Sequence, residues 1–328
     1  MSHILAGDIG GTKTLLQIRS TAGTGAVLLQ KSYPSAAYAG LAEILQQFLT
    51  EAGVTDIAAA CFALAGPVLG RRVQLTNLPW AVDADELAGR FAIPRLQLVN
   101  DFAAVGHGLD ALQPSDLLTL QSASAEAHGT RLVVGAGTGL GVGYLTWCNG
   151  KYMVHPSEGG HMDFAPLNAM QEDLLHHLQA QHGHVSYERI VSGPGLVALL
   201  EFVCATGRAG MTPQLSGAMR AGDAAAAITR LGQQSDEPAA AMALGLFMEI
   251  YGAFVGNFAL ATLPRGGVFV AGGIAAKIAE HMTRGPFLNA FCNKGRFADL
   301  LGTLPLQLVL NPGVGLLGAD VLASSDLV

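Results

Sequence analysis

Leu96-Gln97-Leu98-Val99-Asn100-Asp101-Phe102 is the stretch on which the reading of this chain turns. A short apolar run bounded by polar residues predicts an interior strand of an α/β sheet. The strand delivers Asn100 and Asp101 at its carboxyl end, where ligands of such sheets collect. A carboxylate held there, with a helix following from Phe102 to about Gly108, is well situated to take a proton. Asn and Asp are also good helix caps, and the stretch alone leaves both readings open. The rest of the chain has to separate them.

Two glycine-rich turns keep this stretch company. Ile4–Ile9 reads as a strand, Gly10-Gly11-Thr12-Lys13 as a tight turn and Thr14–Arg19 as the returning strand. The same order recurs in Thr130–Gly135, Ala136-Gly137-Thr138-Gly139 and Leu140–Cys148. This faint internal repeat predicts two similar cores facing each other. Glycine lets backbone N–H groups approach an anion and threonine adds a hydroxyl, so Gly10, Gly11, Thr12, Gly137 and Thr138 suit nucleotide phosphates. Hairpin tips alone would also use glycine. GxxxxGK[ST] does not occur and neither glycine turn has the spacing GxGxxG, so a nucleotide held by these turns would have to bind in another way. Asp8, beside the first turn, could hold Mg²⁺ directly or through its waters, or simply stabilise the turn.

A third group is Glu158, His161 and Glu188. Glu158-Gly159-Gly160-His161 is a glycine loop carrying two hydrogen-bonding side chains, and Glu188 is read at the mouth of a further strand, Arg189-Ile190-Val191. Carboxylates and an imidazole converging on one pocket suit a polyhydroxylated substrate, because each hydroxyl needs an acceptor. A surface pair between Glu188 and Arg189 is the plainer alternative. His176, His177, His182 and His184 read as a solvated helix face rather than a metal site.

Composition narrows the class. The chain has 328 residues, 50% hydrophobic and 13% charged, with a mean hydropathy of +0.38. That supports a large core and two domains and excludes disorder. The formal net charge of -7, with no run of Lys or Arg, provides no footprint for nucleic acid. Cys61, Cys148, Cys204 and Cys292 form no CxxC pair. The apolar stretch from Ala239 to Leu263 is broken by Glu249 and Asn257 and reads as a buried helix, not a membrane span. With Gly7-Asp8 reached so early, no signal peptide is expected, and the protein is expected in the cytoplasm.

Six segments together resemble the ATP-dependent bacterial glucokinases of the enterobacterial type. They are Gly7–Lys13, Leu98–Phe102, Gly135–Gly141, Ser157–His161, Ser192–Gly195 and Ala271–Ile274, in that order and across nearly the whole chain. The resemblance implies an α/β, actin-like ATPase (ribonuclease H-like) fold, with two α/β domains and a cleft between them. The expected domains are 1–110 plus about 302–328, and 111–301. It implies transfer of phosphate from ATP, with Mg²⁺, to the 6-hydroxyl of glucose. Asp101 would be the general base. Asn100, Glu158, His161 and Glu188 would bind the other sugar hydroxyls. Asp8 would serve Mg²⁺, through water. Gly10, Gly11, Thr12, Lys13, Gly137 and Thr138 would hold phosphates, and Gly272 and Gly273 would lie near the adenosine. A homodimer is expected on the same ground. Lys13 stands where many members carry Asn, and Ala136 where many carry Pro. No cysteine-rich zinc motif follows His161 and no helix-turn-helix precedes Asp8. A kinase for another hexose, such as fructose or an N-acetylhexosamine, and a silent sugar sensor are the competing readings.

Overall fold

The computed structural model describes residues 2–22, 25–75, 78–234 and 236–325. The chain divides into two compact units, Met1–Pro114 with Asn311–Val328, and Ser115–Leu310.

The first unit is built on β1 (His3–Ile9), β2 (Lys13–Ser20), β3 (Val27–Pro34) and helix α1 (Leu41–Ala52). Next come β4 (Ile57–Leu64) and three short strands, β5 (Val68–Leu69), β6 (Arg72–Gln74) and β7 (Ala81–Asp83), which form a small sheet of their own. Helix α2 (Ala84–Phe91), β8 (Leu96–Asn100) and helix α3 (Asp101–Gly108) complete the run. The main sheet has the order β3-β2-β1-β4-β8. β1 pairs antiparallel with β2 and parallel with β4, and β4 pairs parallel with β8.

Strand side chains alternate between faces, and the sheet is buried on both. Leu5, Ile9, Phe62 and Leu64 pack with Ile44, Leu45 and Phe48 of α1. Ile4, Ala6, Cys61 and Ala63 face the other way, against Ala104 of α3 and Leu316, Ala319 and Ala323 of the C-terminal helix Val314–Ser325. The residues of this second face are mostly small, which lets the helices lie close. A β-carbon on Gly108 would collide with the Val314 carbonyl, and one on Gly318 with the Ala104 carbonyl. Fully burying one Leu, Ile or Phe is worth about 1.5–3 kcal/mol, so the large side chains of the α1 face contribute most of the apolar stabilisation.

The second unit contains β9 (Leu117–Gln121), β10 (Arg131–Ala136), β11 (Leu140–Cys148) and β12 (Lys151–Ser157). Five helices follow, α4 (Ala169–His182), α5 (Gly193–Ala205), α6 (Pro213–Ala221), α7 (Ala224–Leu231) and α8 (Pro238–Thr262), then β13 (Gly267–Ala271) and β14 (Leu306–Val309). The sheet order is β12-β11-β10-β13-β14-β9. Its first five strands repeat the first sheet: an antiparallel meander of three, then two strands parallel to the first of them. The repeat read from the two glycine turns is therefore a repeat of topology.

Two readings are corrected. Residues 302–310, assigned to the first domain from sequence, belong to the second unit, because β14 is hydrogen-bonded between β13 and β9. Glu188 stands in a single 3₁₀ turn, Tyr187–Arg189, and not at the mouth of a strand. The long apolar stretch is α8, and 78% of its most apolar window is buried in the fold. Its Phe247, Ile250, Tyr251 and Phe254 lie in the core of this unit.

Candidate active site

In the first unit the candidate residues gather at one edge of the sheet. Ile9 pairs with Leu64, and Leu64 with Asn100, so the carboxyl ends of β1, β4 and β8 are level. Asp8 therefore sits at the end of one strand and Asn100-Asp101 at the end of another, with β4 between them. Two strand spacings make about 9–10 Å. Asn100 is the N-cap of α3: its Oδ1 accepts the N–H groups of Phe102 at 2.9 Å and Ala103 at 3.1 Å. Its Nδ2 donates to the Gly66 carbonyl at 3.3 Å. The capping role left open in the sequence thus falls to Asn100. A cap of this kind is worth about 1 kcal/mol. Asp101 occupies the first helical position, where its Oδ1 accepts the Phe102 N–H at 2.9 Å.

The first glycine turn closes through the Gly10 N–H donating to the Lys13 carbonyl at 2.9 Å. It is braced by Ser35, a fully buried residue that the sequence did not single out. The Ser35 hydroxyl donates to the Gly10 carbonyl at 2.8 Å and lies 3.0 Å from the Thr14 hydroxyl, while its N–H donates to the Thr12 carbonyl at 3.1 Å. Thr12 and Lys13 stay exposed. Asp8 lies against the start of the C-terminal helix, where a β-carbon on Gly315 would come 3.1 Å from Asp8 Oδ2. Burial raises the Asp8 carboxyl above the ordinary carboxylate range, and the charge of Lys13 partly offsets it. A buried carboxylate held this way is one that a cation would stabilise.

In the second unit, β10 and β13 run parallel with Gly135 level with Ala271. Their carboxyl ends bring the turn after β10, with Gly137 and Thr138, beside Gly272 and Gly273. Gly272 has φ +93°, and a β-carbon there would strike the Ala136 carbonyl, so no other residue fits. Helix Gly273–Lys277 then leads to a cavity of about 630 Å³ lined by Gly222, Asp223, Arg230, Gln233 and Lys277 among others. Ala225, on α7 beside that cavity, would be 3.6 Å from a β-carbon on Gly193, whose N–H donates to the Gly137 carbonyl.

Glu158, His161 and Glu188 converge in the same unit. His161 Nδ1 is 3.8 Å from Glu188 Oε1, and His161 Nε2 is 4.0 Å from Glu158 Oε2. Glu158 and His161 remain largely open to solvent, while Glu188 is half-buried. Glu188 Oε2 accepts the Leu140 N–H at 2.8 Å, so the carboxylate serves Leu140 and His161 rather than a surface pair with Arg189. The loop glycines are required sterically: a β-carbon on Gly160 would strike the Leu140 carbonyl, and one on Gly159 the Phe258 ring. The four histidines of the 176–184 stretch do not converge. His184 pairs with Asp163 at 2.7 Å and His177 packs on Phe202. Among the described residues no three His, Cys, Asp or Glu side chains are grouped to hold a metal.

Comparison with known proteins decides the family. A profile of the glucokinase family matches residues 5–326. The chain belongs to the glucokinase family. It is 42% identical to a glucokinase of a Nostoc species, over 99% of both chains. It is 35% identical to a glucokinase of Yersinia enterocolitica, over 97% of this chain and 95% of that one. The solved glucokinase structure from an Antarctic psychrotroph superposes with a TM-score of 0.80 at 27% identity, over 99% of each chain. The fold is accordingly that of the glucokinases, the actin-like ATPase fold, and the repeated sheet topology of the two units is its signature.

Proposed function

We propose that this glucokinase-family chain transfers the terminal phosphoryl group of ATP to the 6-hydroxyl of D-glucose. The observation that carries the reading is the register of the first sheet, in which the strand bearing Asp8 and the strand leading to Asp101 end side by side. Family membership over the whole chain supports it.

Phosphoryl transfer of this kind depends on positioning and on neutralising charge. Asp101 orients the sugar 6-hydroxyl and accepts its proton as the new O–P bond forms. Asn100, Glu158, His161 and Glu188 hydrogen-bond the remaining hydroxyls. Gly10, Gly11, Thr12 and Lys13, together with Gly137 and Thr138, hold phosphate oxygens through backbone N–H, hydroxyl and ammonium groups. Gly272 and Gly273 border the nucleoside, and the cavity between α7 and Lys277 has room for a purine. Asp8, a desolvated carboxylate beside the first glycine turn, would hold a Mg²⁺ ion, which typically takes one or two carboxylates and keeps several waters. The ion would neutralise the phosphate charge.

The test is ADP release with glucose, fructose, mannose and N-acetylated hexosamines, each with ATP and Mg²⁺. Turnover highest by far on glucose is expected. A higher kcat/KM on another hexose would reassign the substrate, and sugar binding without ADP release would make the protein a sensor. We also propose a cytoplasmic homodimer, which light scattering and fractionation check.

A further inference from the structure

The Glu188 side chain is connected back to its own backbone by a closed circuit that passes through the second glycine turn. Its Oε2 accepts the Leu140 N–H at 2.8 Å. Leu140 is joined by its peptide bond to Gly139, whose carbonyl accepts the Gly137 N–H at 2.8 Å. The Gly137 carbonyl accepts the Gly193 N–H at 2.8 Å. Gly193 follows Ser192, whose hydroxyl donates to the Glu188 carbonyl at 2.7 Å. Four hydrogen bonds thus run from carboxylate to turn to helix start and back. The other oxygen, Oε1, faces His161.

Gly139 makes the circuit possible. A β-carbon there would lie 2.5 Å from Glu188 Oε2, well inside contact distance, so any side chain at 139 drives the carboxylate off the Leu140 N–H. Leu140 is held on its other side as well, because Gly160 of the Glu158–His161 loop lies directly on the Leu140 carbonyl. The backbone of one residue, Leu140, is therefore met by both elements that carry the candidate sugar ligands, immediately after the candidate phosphate turn.

We propose that Gly139 and Ser192 are positioning residues that couple the sugar subsite to the phosphate turn, so that each ligand raises the affinity for the other. The proposal rests on the assignment of Glu188 to the sugar and of Gly137-Thr138 to the phosphates. A sugar hydroxyl donating to Oε1 fixes the carboxylate plane and with it the Leu140 N–H. That N–H sets the Gly137–Gly139 bend, and with it the position at which Thr138 meets the phosphate. Linkage makes the effect reciprocal.

The experiment is calorimetric titration of the full-length protein with ADP and Mg²⁺, with and without saturating glucose, and the converse titration with glucose. In the wild type glucose tightens ADP by at least about fivefold, the lower end of ordinary coupling factors, and ADP tightens glucose equally. In Gly139→Ala the factor falls below about twofold in both directions. Ser192→Ala, which removes one link of the circuit away from both ligands, lowers the factor by at least half. A purely structural role would weaken both ligands and leave their ratio intact. An unchanged factor in either folded variant, or no coupling in the wild type, overturns the proposal; if Gly139→Ala does not fold, Ser192→Ala decides. Glu188→Ala separates the two readings. Unaltered glucose affinity there refutes the sugar assignment itself, whereas lost glucose affinity with wild-type coupling in Gly139→Ala refutes only the circuit.

Discussion

Ile9 and Asn100 stand level in the first sheet, each paired with Leu64 of the strand between them. The residue before Ile9 and the residue after Asn100 are both aspartates, and they differ in surroundings. Asp101 lies at the half-buried first turn of α3, next to its N-cap Asn100, whereas Asp8 is pressed against the C-terminal helix at Gly315. Their substitution should therefore have different consequences.

Asp101→Asn should lower kcat by about 10²–10⁴-fold, the usual contribution of a general base. Glucose affinity should stay within about threefold, because the amide keeps an oxygen to accept the Phe102 N–H and a polar group for the sugar. Steady-state kinetics with calorimetric glucose binding checks the split. Near-normal kcat in a folded variant would remove Asp101 from the chemistry.

Asp8→Asn should cut activity by more than about a hundredfold, since a metal's charge stabilisation is worth several kcal/mol. The metal-free protein should nevertheless become more stable at neutral pH. Burial raises the Asp8 pKa above 3.8, so between 3.8 and the raised value the folded state binds more protons than the unfolded state. Stability from this group then falls as pH rises through that window, and the neutral amide escapes the loss. Denaturant titrations at pH 4 and pH 7 without Mg²⁺ would show the variant's advantage growing with pH; an advantage confined to pH 4 would contradict the sign.

Gly318→Val should destabilise the first unit by at least about 1–3 kcal/mol, as overpacking of a close contact does. The Ala104 carbonyl, on the helix that begins at Asp101, lies directly beneath Gly318. Because that displacement also moves α3, kcat should fall along with the melting temperature. A variant with a lowered melting temperature and unaltered kcat would show that the helix can shift without moving Asp101.

Lys294 tests buried charge away from the site. Its Nζ donates to the Ala253 carbonyl of α8 at 3.0 Å, and its stem lies against Gly256. Burial lowers its pKa below 10.5, so the unfolded state binds more protons between the lowered value and 10.5, and stability from this group rises with pH there. Lys294→Met keeps the stem and removes the charge. It should match or exceed the wild type at pH 7, with the difference shrinking by pH 10, in chemical denaturation followed by circular dichroism.

Much of the candidate site was legible because its signals are local. Gly10–Lys13 and Gly137–Gly139 announce tight turns by composition. Ser192 and Asn100 announce helix starts, and both prove to be N-caps, Ser192 accepting the Gly195 N–H at 3.1 Å. Glu188 was read at the mouth of a strand, because Ile190-Val191 is apolar and β-branched; packing of Tyr187, Ile190 and Val191 into the core goes with a 3₁₀ turn there instead. Ser35 carried no signal at all, since nothing near it in the chain indicates the Gly10 turn that it braces across 25 residues.

By itself the sequence determined the family, the two glycine turns, the helix starts and the inventory of acids, because each follows from short-range periodicity, turn chemistry and capping. Only the tertiary structure decided that Leu306–Val309 completes the second sheet, that Ile9 and Asn100 are level, and that Glu188 reaches Leu140. Those relations are set by strand register and by hydrogen bonds between residues far apart in the chain, 48 in the case of Leu140 and Glu188. Such pairings are selected by which buried faces can close together, and no local pattern along the chain encodes that choice.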